Sequence, residues 1–234
     1  YLDMITFIER IINTIAPGRC AICNGRLAVG EHIICAACNL RLDRTGYETN
    51  PFENDMSKMF WGRFHIEKAA ALFFYHPHTE SAKLIKSIKY YDHANYAFEL
   101  GRMMASEFQP SGFFDGMTAV VPVPLAANRE RQRGYNQSRE MAAGICSVMK
   151  LPLLDKAVRR RKFVASQTRL SRSERNDNVA CAFSLVKPEQ LHGHHVLIID
   201  DVATTGATIT ALAREILNAG SVKVSVLTAG LASH

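Results

Sequence analysis

The chain has 234 residues and a mass of 26.1 kDa, with 47% apolar and 21% charged residues. This composition excludes an intrinsically disordered chain, a collagen-like repeat and a small disulfide-stapled scaffold. No apolar run reaches the roughly 20 residues that span a bilayer, and the opening segment carries charges, so we expect neither membrane insertion nor a signal peptide. The default expectation is a cytoplasmic protein.

The net charge of +6 is concentrated in one segment. Between Arg129 and Arg175 there are 13 Lys or Arg and 4 Asp or Glu, a balance of +9, whereas the rest of the chain sums to −3. Ten of these 13 cations are Arg, a residue that suits bidentate phosphate contact. The segment therefore predicts an anionic ligand, either a phosphorylated metabolite or a nucleic-acid backbone, and the alternative is a solvated surface.

The first half of the chain is divided by turn signals. Isoleucines recur at helical spacing over 1–16, which predicts an amphipathic helix that ends at Pro17. Turn residues fill 39–66, which we interpret as a connector. We therefore divide the chain into an N-terminal part, 1–66, and a second domain, 67–234. The next predicted elements are a strand over Ala69–Tyr75 and helices over 79–90 and 94–108.

The second half alternates between apolar runs and amphipathic stretches. Continuous β-branched runs that are separated by helices indicate an α/β fold with a parallel sheet covered on both faces. Ligands of such folds bind at the carboxyl ends of the strands. The predicted strands are 117–123, 196–199 and 222–227, and the predicted helices are 136–149 and 207–218.

Four of the six cysteines form the pattern Cys20-x2-Cys23-x11-Cys35-x2-Cys38. Two CxxC pairs across a short loop match a tetrahedral site for structural Zn²⁺. The alternatives are a disulfide pair or a redox CxxC, but nothing marks the chain as secreted and a redox motif needs only one pair. We predict one zinc ion with a structural role and no role in catalysis, because four thiolates leave no open coordination position.

The stretch 196–208 joins a buried strand, two acids, a loop of small and hydroxyl residues and a helix start. Backbone N–H groups, threonine hydroxyls and a glycine at a helix start make a cradle for a phosphate monoester. The carboxylates of Asp200 and Asp201 accept hydrogen bonds from a ribose diol or hold Mg²⁺. A plain helix N-cap is the alternative, but a cap needs only one side chain.

These residues resemble a known family. The stretch 196–208 looks like the 13-residue signature for phosphoribosyl pyrophosphate (PRPP) of type I phosphoribosyltransferases. The cysteine pattern and three further stretches resemble the ComF family of competence proteins. Those stretches are 121–125, 133–137 and 167–178. The resemblance implies a type I phosphoribosyltransferase-like parallel sheet flanked by helices, with a small N-terminal zinc-binding module.

The resemblance also implies roles for individual residues. Asp200 and Asp201 would bind the ribose hydroxyls of PRPP, which is accompanied by Mg²⁺, and the following loop would bind the 5′-phosphate. Arg129, Arg133 and Lys89 are candidates for neutralising the pyrophosphate group, although a solvated helix end is the alternative for Lys89. The 5′-phosphate loop comprises Ala203, Thr204, Thr205, Gly206, Ala207 and Thr208.

Two functions follow from the resemblance. One is a phosphoribosyltransferase that moves the 5-phosphoribosyl group of PRPP, or of a related ribose 5-phosphate ligand, to a nitrogen nucleophile. The other is a non-catalytic PRPP-binding factor that handles single-stranded DNA in competence, with a competence helicase as the partner that the family suggests. For the second function we expect the basic run 159–162 (Arg-Arg-Arg-Lys) to bind single strands separately from Arg129 and Arg133, and a solvated loop is the alternative.

Overall fold

The computed structural model describes residues 18–89, 94–161 and 182–232. The helix predicted over 1–16, Lys162 and the stretch 167–178 lie outside these ranges.

A four-stranded parallel sheet forms the centre of the molecule, with the strand order β1-β6-β5-β2. Its strands are almost completely buried on both faces, as continuous runs of Ala, Val, Ile and Leu require. Strands β3 and β4 form a separate antiparallel pair. The strands are β1 Ala69–Tyr75, β2 Ala119–Pro122, β3 Val158–Arg160, β4 Phe183–Leu185, β5 His195–Ala203 and β6 Lys223–Ala232.

Helices cover both faces of the sheet, so the predicted α/β fold is confirmed. Side-chain caps define two of the helix starts: Asn54 forms a capping box with Ser57, and Asn136 accepts a hydrogen bond from the Ser138 N–H. Two 3₁₀ turns lie at Gln109–Ser111 and Pro188–Gln190. The helices are α1 Ala36–Asn39, α2 Asp55–Phe60, α3 Glu80–Ser87, α4 Ala94–Phe108, α5 Ala127–Arg133, α6 Gln137–Met149 and α7 Ala207–Leu217.

The sheet separates two hydrophobic cores. On one face, α3, α4 and α6 pack on the strands together with the cysteine-rich segment, and Cys38 and Leu100 belong to this core. On the other face, α7 and the β3–β4 pair pack on the strands together with α2, and Met56 and Phe60 are completely buried there. Residues of the N-terminal part thus contribute to both cores, and the boundary after residue 66 stays a prediction.

Helices α4 and α6 touch through their backbones at two glycines. A Cβ at Gly101 would lie 2.0 Å from the carbonyl oxygen of Met141. A Cβ at Gly144 would lie 2.1 Å from the carbonyl oxygen of Phe98. Because both distances are far below van der Waals contact, only glycine permits this approach at either position.

Both edges of the sheet pair with irregular chain. Beside β1, the Phe74 N–H donates to the Asp43 carbonyl and the Thr45 N–H donates to the Leu72 carbonyl. Beside β2, the Val120 N–H donates to the Pro152 carbonyl, and the Val120 carbonyl accepts from the Leu154 N–H. The outer backbone groups of these strands are therefore used within the chain.

Several elements differ from the sequence predictions. Strand β5 continues to Ala203 instead of ending at Ile199, because β6 pairs with it through Asp200 and Val202. The connector contains the helix α2. Helix α5 and the β3–β4 pair were not predicted, since elements of three to seven residues carry too little hydrophobic periodicity to be recognised. No helix within the described ranges is both long and apolar enough to cross a membrane.

Candidate functional site

Two neighbouring acids lie near the carboxyl end of β5. Asp200 Oδ1 accepts hydrogen bonds from the Ser138 hydroxyl, at 3.0 Å, and from the Asp201 N–H, at 2.9 Å. Asp201 Oδ1 accepts from the Val202 N–H at 2.7 Å, and its Oδ2 accepts from Gln137 Nε2 at 3.1 Å. The start of α6 therefore positions both carboxylates.

Gln137 and Ser138 were missed as site residues by the sequence analysis. Both side chains are buried, and Gln137 Oε1 has no hydrogen-bond partner among the described residues. Asn136 is the N-cap of α6, and the Gln137 amide contacts Asp201. Because Gln137 and Asp201 are 64 residues apart, no local pattern in the sequence indicates the pair.

Lys89 also contacts the acid pair. Its Nζ lies 2.8 Å from Asp201 Oδ2, and its side chain is 32% exposed. Burial raises the pKa of the Asp200 carboxyl to about 7, and the neighbouring Asp201 charge acts in the same direction. The hydrogen bonds to Asp200 and the Lys89 charge oppose this rise in pKa. The site thus holds one carboxyl whose pKa is raised by burial beside a second carboxyl that pairs with a lysine.

The loop between β5 and α7, residues 204–206, follows these acids. Gly206 has φ +70° and is the N-cap of α7. Among the described residues, the backbone N–H groups of Thr204, Thr205 and Gly206 donate to no acceptor. A small cavity of about 50 Å³ lies at this loop and is lined by Asp200 and by residues 202–209. Three consecutive free N–H groups at a helix start form a site for an anion.

A second cavity, of about 490 Å³, is lined by four arginines. We call it the arginine cavity. Burial, followed by the Arg129 charge, lowers the pKa of Arg160, whereas the Asp200 charge raises it. The arginine cavity therefore lies within electrostatic reach of the acid pair. Its arginines are Arg129 and Arg131 from α5, Arg160 from β3 and the adjacent Arg161.

The structure places two residues of the basic run 159–162 beside Arg129, and the binding of single strands by this run stays a prediction. The β3–β4 pair brings Arg160 and Arg161 to the same cavity as Arg129. Arg133 does not line this cavity, although it lies on the same helix as Arg129. The Arg133 charge instead influences Tyr135: burial raises the pKa of the Tyr135 hydroxyl, and the Arg133 charge opposes this rise.

The four cysteines of the predicted zinc site come together. All four sulfur atoms lie within 4.8 Å of one another. The Cys35 N–H donates to Cys20 Sγ at 3.4 Å, and Cys23 Sγ and Cys35 Sγ are 3.8 Å apart. Burial raises the pKa of the Cys20 thiol, but backbone hydrogen bonds outweigh this effect and lower it to about 7. The donor set and its compactness fit a tetrahedral zinc ion.

Comparison with known proteins supports this description. Residues 90–233 match the family described as the phosphoribosyl transferase domain. The DNA utilization protein YhgH of Escherichia coli K12 is 30% identical over 220 residues, which cover 90% of this chain and 95% of that protein. The competence protein F of Haemophilus influenzae is 33% identical over 109 residues, which cover 46% of this chain and 48% of that protein.

A solved structure of a glutamine PRPP amidotransferase from B. subtilis is also similar. It is 21% identical, with a TM-score of 0.41, and the match covers 57% of this chain and 26% of that chain. The family match itself covers more than half of the chain. It includes the acid pair, the β5–α7 loop and the arginine cavity. The chain therefore belongs to the phosphoribosyl transferase domain family, as a ComF-type member with the type I fold and an N-terminal four-cysteine cluster.

Proposed function

We propose that this protein binds PRPP at the carboxyl end of β5 and acts as a phosphoribosyltransferase. The observation that carries the proposal is the juxtaposition of two carboxylates with three consecutive backbone N–H groups that donate to no acceptor in the described part of the chain. A ribose 5-phosphate needs both of these partners, because its hydroxyls donate to carboxylates and its phosphate accepts from N–H groups.

The 5′-phosphate is assigned to the β5–α7 loop. The N–H groups of Thr204, Thr205 and Gly206 would donate to its oxygens, and the positive end of the α7 dipole favours the negative charge. The cavity at this loop includes the whole stretch 203–208 that the family resemblance implicates. The ribose hydroxyls are assigned to Asp200 and Asp201, which border the same loop.

The acid pair also fits the Mg²⁺ ion that accompanies PRPP. Mg²⁺ binds carboxylate and phosphate oxygens and keeps several water ligands, so Asp200 and Asp201 are the residues that would hold it. The bound ion supplies positive charge to the departing pyrophosphate. Lys89 pairs with Asp201, and its ammonium group has two further N–H donors for a contact with pyrophosphate.

The pyrophosphate group is assigned to the arginine cavity. Arg129 remains the candidate that the sequence analysis selected, and Arg131 and Arg160 join it. Guanidinium groups form bidentate hydrogen bonds with phosphate and retain their charge in proteins. In the transfer reaction, the bond between ribose C1 and the pyrophosphate oxygen breaks, and pyrophosphate leaves with the electron pair. The acceptor nitrogen forms the new bond to C1 and loses its proton, and the arginines stabilise the leaving group.

Titration calorimetry with PRPP and Mg²⁺ tests the binding site. The Asp200→Asn/Asp201→Asn double variant keeps the side-chain shapes but removes both charged acceptors. One charge-assisted hydrogen bond contributes about 1.5–3 kcal/mol, so we expect at least 10-fold weaker PRPP binding. The matched control is Asp43→Asn/Asp115→Asn, which removes two exposed carboxylates elsewhere. Equal affinity in the site variant and the wild type would refute the assignment.

Release of pyrophosphate tests the transfer reaction. The wild-type protein is incubated with PRPP, Mg²⁺ and each of a panel of nucleobases, and pyrophosphate is measured. We expect release that depends on one class of acceptor. Binding of PRPP without any acceptor-dependent release would leave the binding site intact and exclude transfer to the tested acceptors.

Single-strand binding is a second candidate function. Four arginines in one cavity exceed what one pyrophosphate needs, and the similar proteins carry the names DNA utilization protein and competence protein. A helicase partner and a cytoplasmic location, both expected from the sequence, belong to this proposal. The affinity for a single-stranded oligonucleotide should fall with salt, with a slope of roughly −0.7 for each phosphate neutralised.

The shared arginines connect the two candidate functions. Because Arg160 and Arg161 lie in the same cavity as Arg129, we expect PRPP to compete with the oligonucleotide. The Arg160→Ala/Arg161→Ala variant should weaken both ligands and flatten the salt dependence. Arg41→Ala/Arg102→Ala removes two exposed arginines outside the cavity and is the matched control. Absence of oligonucleotide binding at low salt would exclude this second function.

A further inference from the structure

We propose that Arg63 is a positioning residue that strengthens the phosphate-binding N–H of Gly206. This inference rests on the proposed function of the β5–α7 loop. The guanidinium nitrogen Nη1 of Arg63 donates to the carbonyl oxygen of Thr205 at 2.7 Å. Arg63 lies in the N-terminal part of the chain, 142 residues before Thr205 and outside the residues 90–233 that match the family.

The Thr205 carbonyl and the Gly206 N–H belong to one peptide unit. This peptide bond is trans, so its C=O and N–H point in opposite directions. With Arg63 at the carbonyl, the Gly206 N–H points away from Arg63. This N–H is one of the three that donate to no acceptor within the described ranges. A hydrogen bond to the carbonyl polarises the peptide and makes its N–H a stronger donor.

A cationic donor polarises this peptide more strongly than a neutral one. Hydrogen bonds with an ionised partner are roughly twice as strong as neutral ones, and a guanidinium keeps its charge over the accessible pH range. The α7 dipole and the Arg63 charge therefore act on the same N–H. The consequence is tighter binding of an anion at the loop, without direct contact between Arg63 and that anion.

The surrounding contacts hold the backbone of Arg63, whose side chain is exposed. Arg214 of α7 donates through Nε to the Arg63 carbonyl at 3.0 Å, and the Arg63 N–H donates to the Phe60 carbonyl at 3.0 Å. Phe60 is completely buried. Arg63 is therefore attached both to the core and to the helix that follows the loop.

The segment before Arg63 also packs directly on the loop. A Cβ at Gly206 would lie 2.7 Å from Met59 Sδ and 2.8 Å from Phe60 Cε1. The glycine thus permits the close approach of this segment and its own positive φ of +70°. The N-terminal part therefore contacts the loop both through Arg63 and through the segment before it.

Binding measurements with two fragments of PRPP test the inference. Calorimetry gives the affinities of the full chain for ribose 5-phosphate and for pyrophosphate. We expect Arg63→Ala to bind ribose 5-phosphate roughly 2- to 4-fold more weakly, because polarisation strengthens a neighbouring hydrogen bond by only about 10–30%, and to bind pyrophosphate as the wild type does. Arg63→Lys keeps a cationic donor and should recover part of the loss. Arg41→Ala, an exposed arginine on another surface, is the control.

The amide proton of Gly206 provides a second readout that does not depend on the ligand. Loss of polarisation should move its NMR resonance upfield in Arg63→Ala, and Arg63→Lys should restore part of the shift. An unchanged resonance together with unchanged ribose 5-phosphate affinity would overturn the proposal. Equal losses for both fragments would assign Arg63 a general structural role instead. If the wild type binds no ribose 5-phosphate, the proposed function fails, and the resonance alone decides whether Arg63 polarises the peptide.

Discussion

The ammonium nitrogen of Lys89 lies 2.8 Å from Oδ2 of Asp201, in a pair that connects the end of α3 to the carboxyl end of β5. The pair places the positive charge of Lys89 next to the two acids. Asp200, the neighbouring acid, shares this environment, because the Lys89 charge opposes the rise of its pKa.

Replacement of Lys89 by Met should raise the pKa of Asp200 above its value of about 7. Burial is the main cause of that raised pKa, and the Asp201 charge adds to it. Without the lysine charge, which lowers the pKa of Asp200, burial and the Asp201 charge would raise it further. Carboxyl ¹³C NMR titration measures the change. Lys83→Met removes an exposed lysine from α3, the helix that precedes Lys89, and should leave the pKa of Asp200 unchanged. A lower pKa in Lys89→Met would contradict this assignment.

The raised pKa of Asp200 makes the stability of the protein depend on pH. Since the folded pKa of about 7 exceeds the usual 3.8, the folded state binds this proton more tightly than the unfolded chain. Below about pH 4, the bound proton makes its full contribution to the free energy of unfolding. This contribution is lost as the pH rises through about 7. Urea unfolding of Asp200→Asn should show a flatter pH profile and a higher free energy of unfolding above pH 8, by up to about 4 kcal/mol.

Asp115→Asn is the control for this pH profile, because its side chain is exposed. It should retain the pH dependence of the wild type. A profile of Asp200→Asn that parallels the wild type would show that the Asp200 proton is not the source. The same Asp200→Asn variant should bind PRPP more weakly, so stability and affinity are expected to change in opposite directions.

Metal analysis should find one zinc ion per chain. The cysteine cluster packs into a hydrophobic core through Cys20 and Cys38, which are 2% and 4% exposed. Because zinc binding contributes to folding, Cys38→Ala should lose the metal and lower the melting temperature. Cys146→Ala, a half-buried cysteine outside the cluster, should keep the zinc. Metal contents near zero or two in reduced wild-type protein would both count against one structural site.

Alanine at Gly101 should destabilise the protein in spite of its higher helix propensity. The propensity gain is about 1 kcal/mol, but the new Cβ would lie 2.0 Å from the Met141 carbonyl oxygen. The separation of α4 from α6 that relieves this clash should cost at least about 2 kcal/mol of unfolding free energy. Ser106→Ala, at an exposed position of α4, is the control. A melting temperature of Gly101→Ala at or above the wild-type value would disprove the backbone contact.

The sequence predicted the acid pair and its loop because their signal is local. A buried run ends in two acids and a helix start within 13 residues, and strand, loop and helix form there. The length of β5 was not predicted, since it depends on β6: Asp200 lies beside Thr228 and Val202 beside Gly230. Polar residues can remain in a strand when a neighbouring strand supplies the hydrogen bonds.

The other parts of the site depend on contacts between distant residues. Gln137 reaches Asp201 across 64 residues, and Arg63 reaches Thr205 across 142. Arg160 reaches the cavity of Arg129 because β3 pairs with β4, in three-residue strands whose stability comes from tertiary packing. A sequence pattern is recognised from the spacing of residues that are close together along the chain. These three contacts join residues that are far apart in the sequence, so no such pattern indicates them.

The paired edges of the sheet restrict how this protein associates with others. An exposed edge strand invites another chain to add a strand, either as a bound peptide or in aggregation. Here the segments beside Phe74 and Val120 already use the outer hydrogen-bonding groups of β1 and β2. A partner that adds a strand must first displace one of these segments. We therefore expect partners to recognise side chains on the helices and loops, and partially unfolded forms that release either segment to aggregate more readily than the native protein.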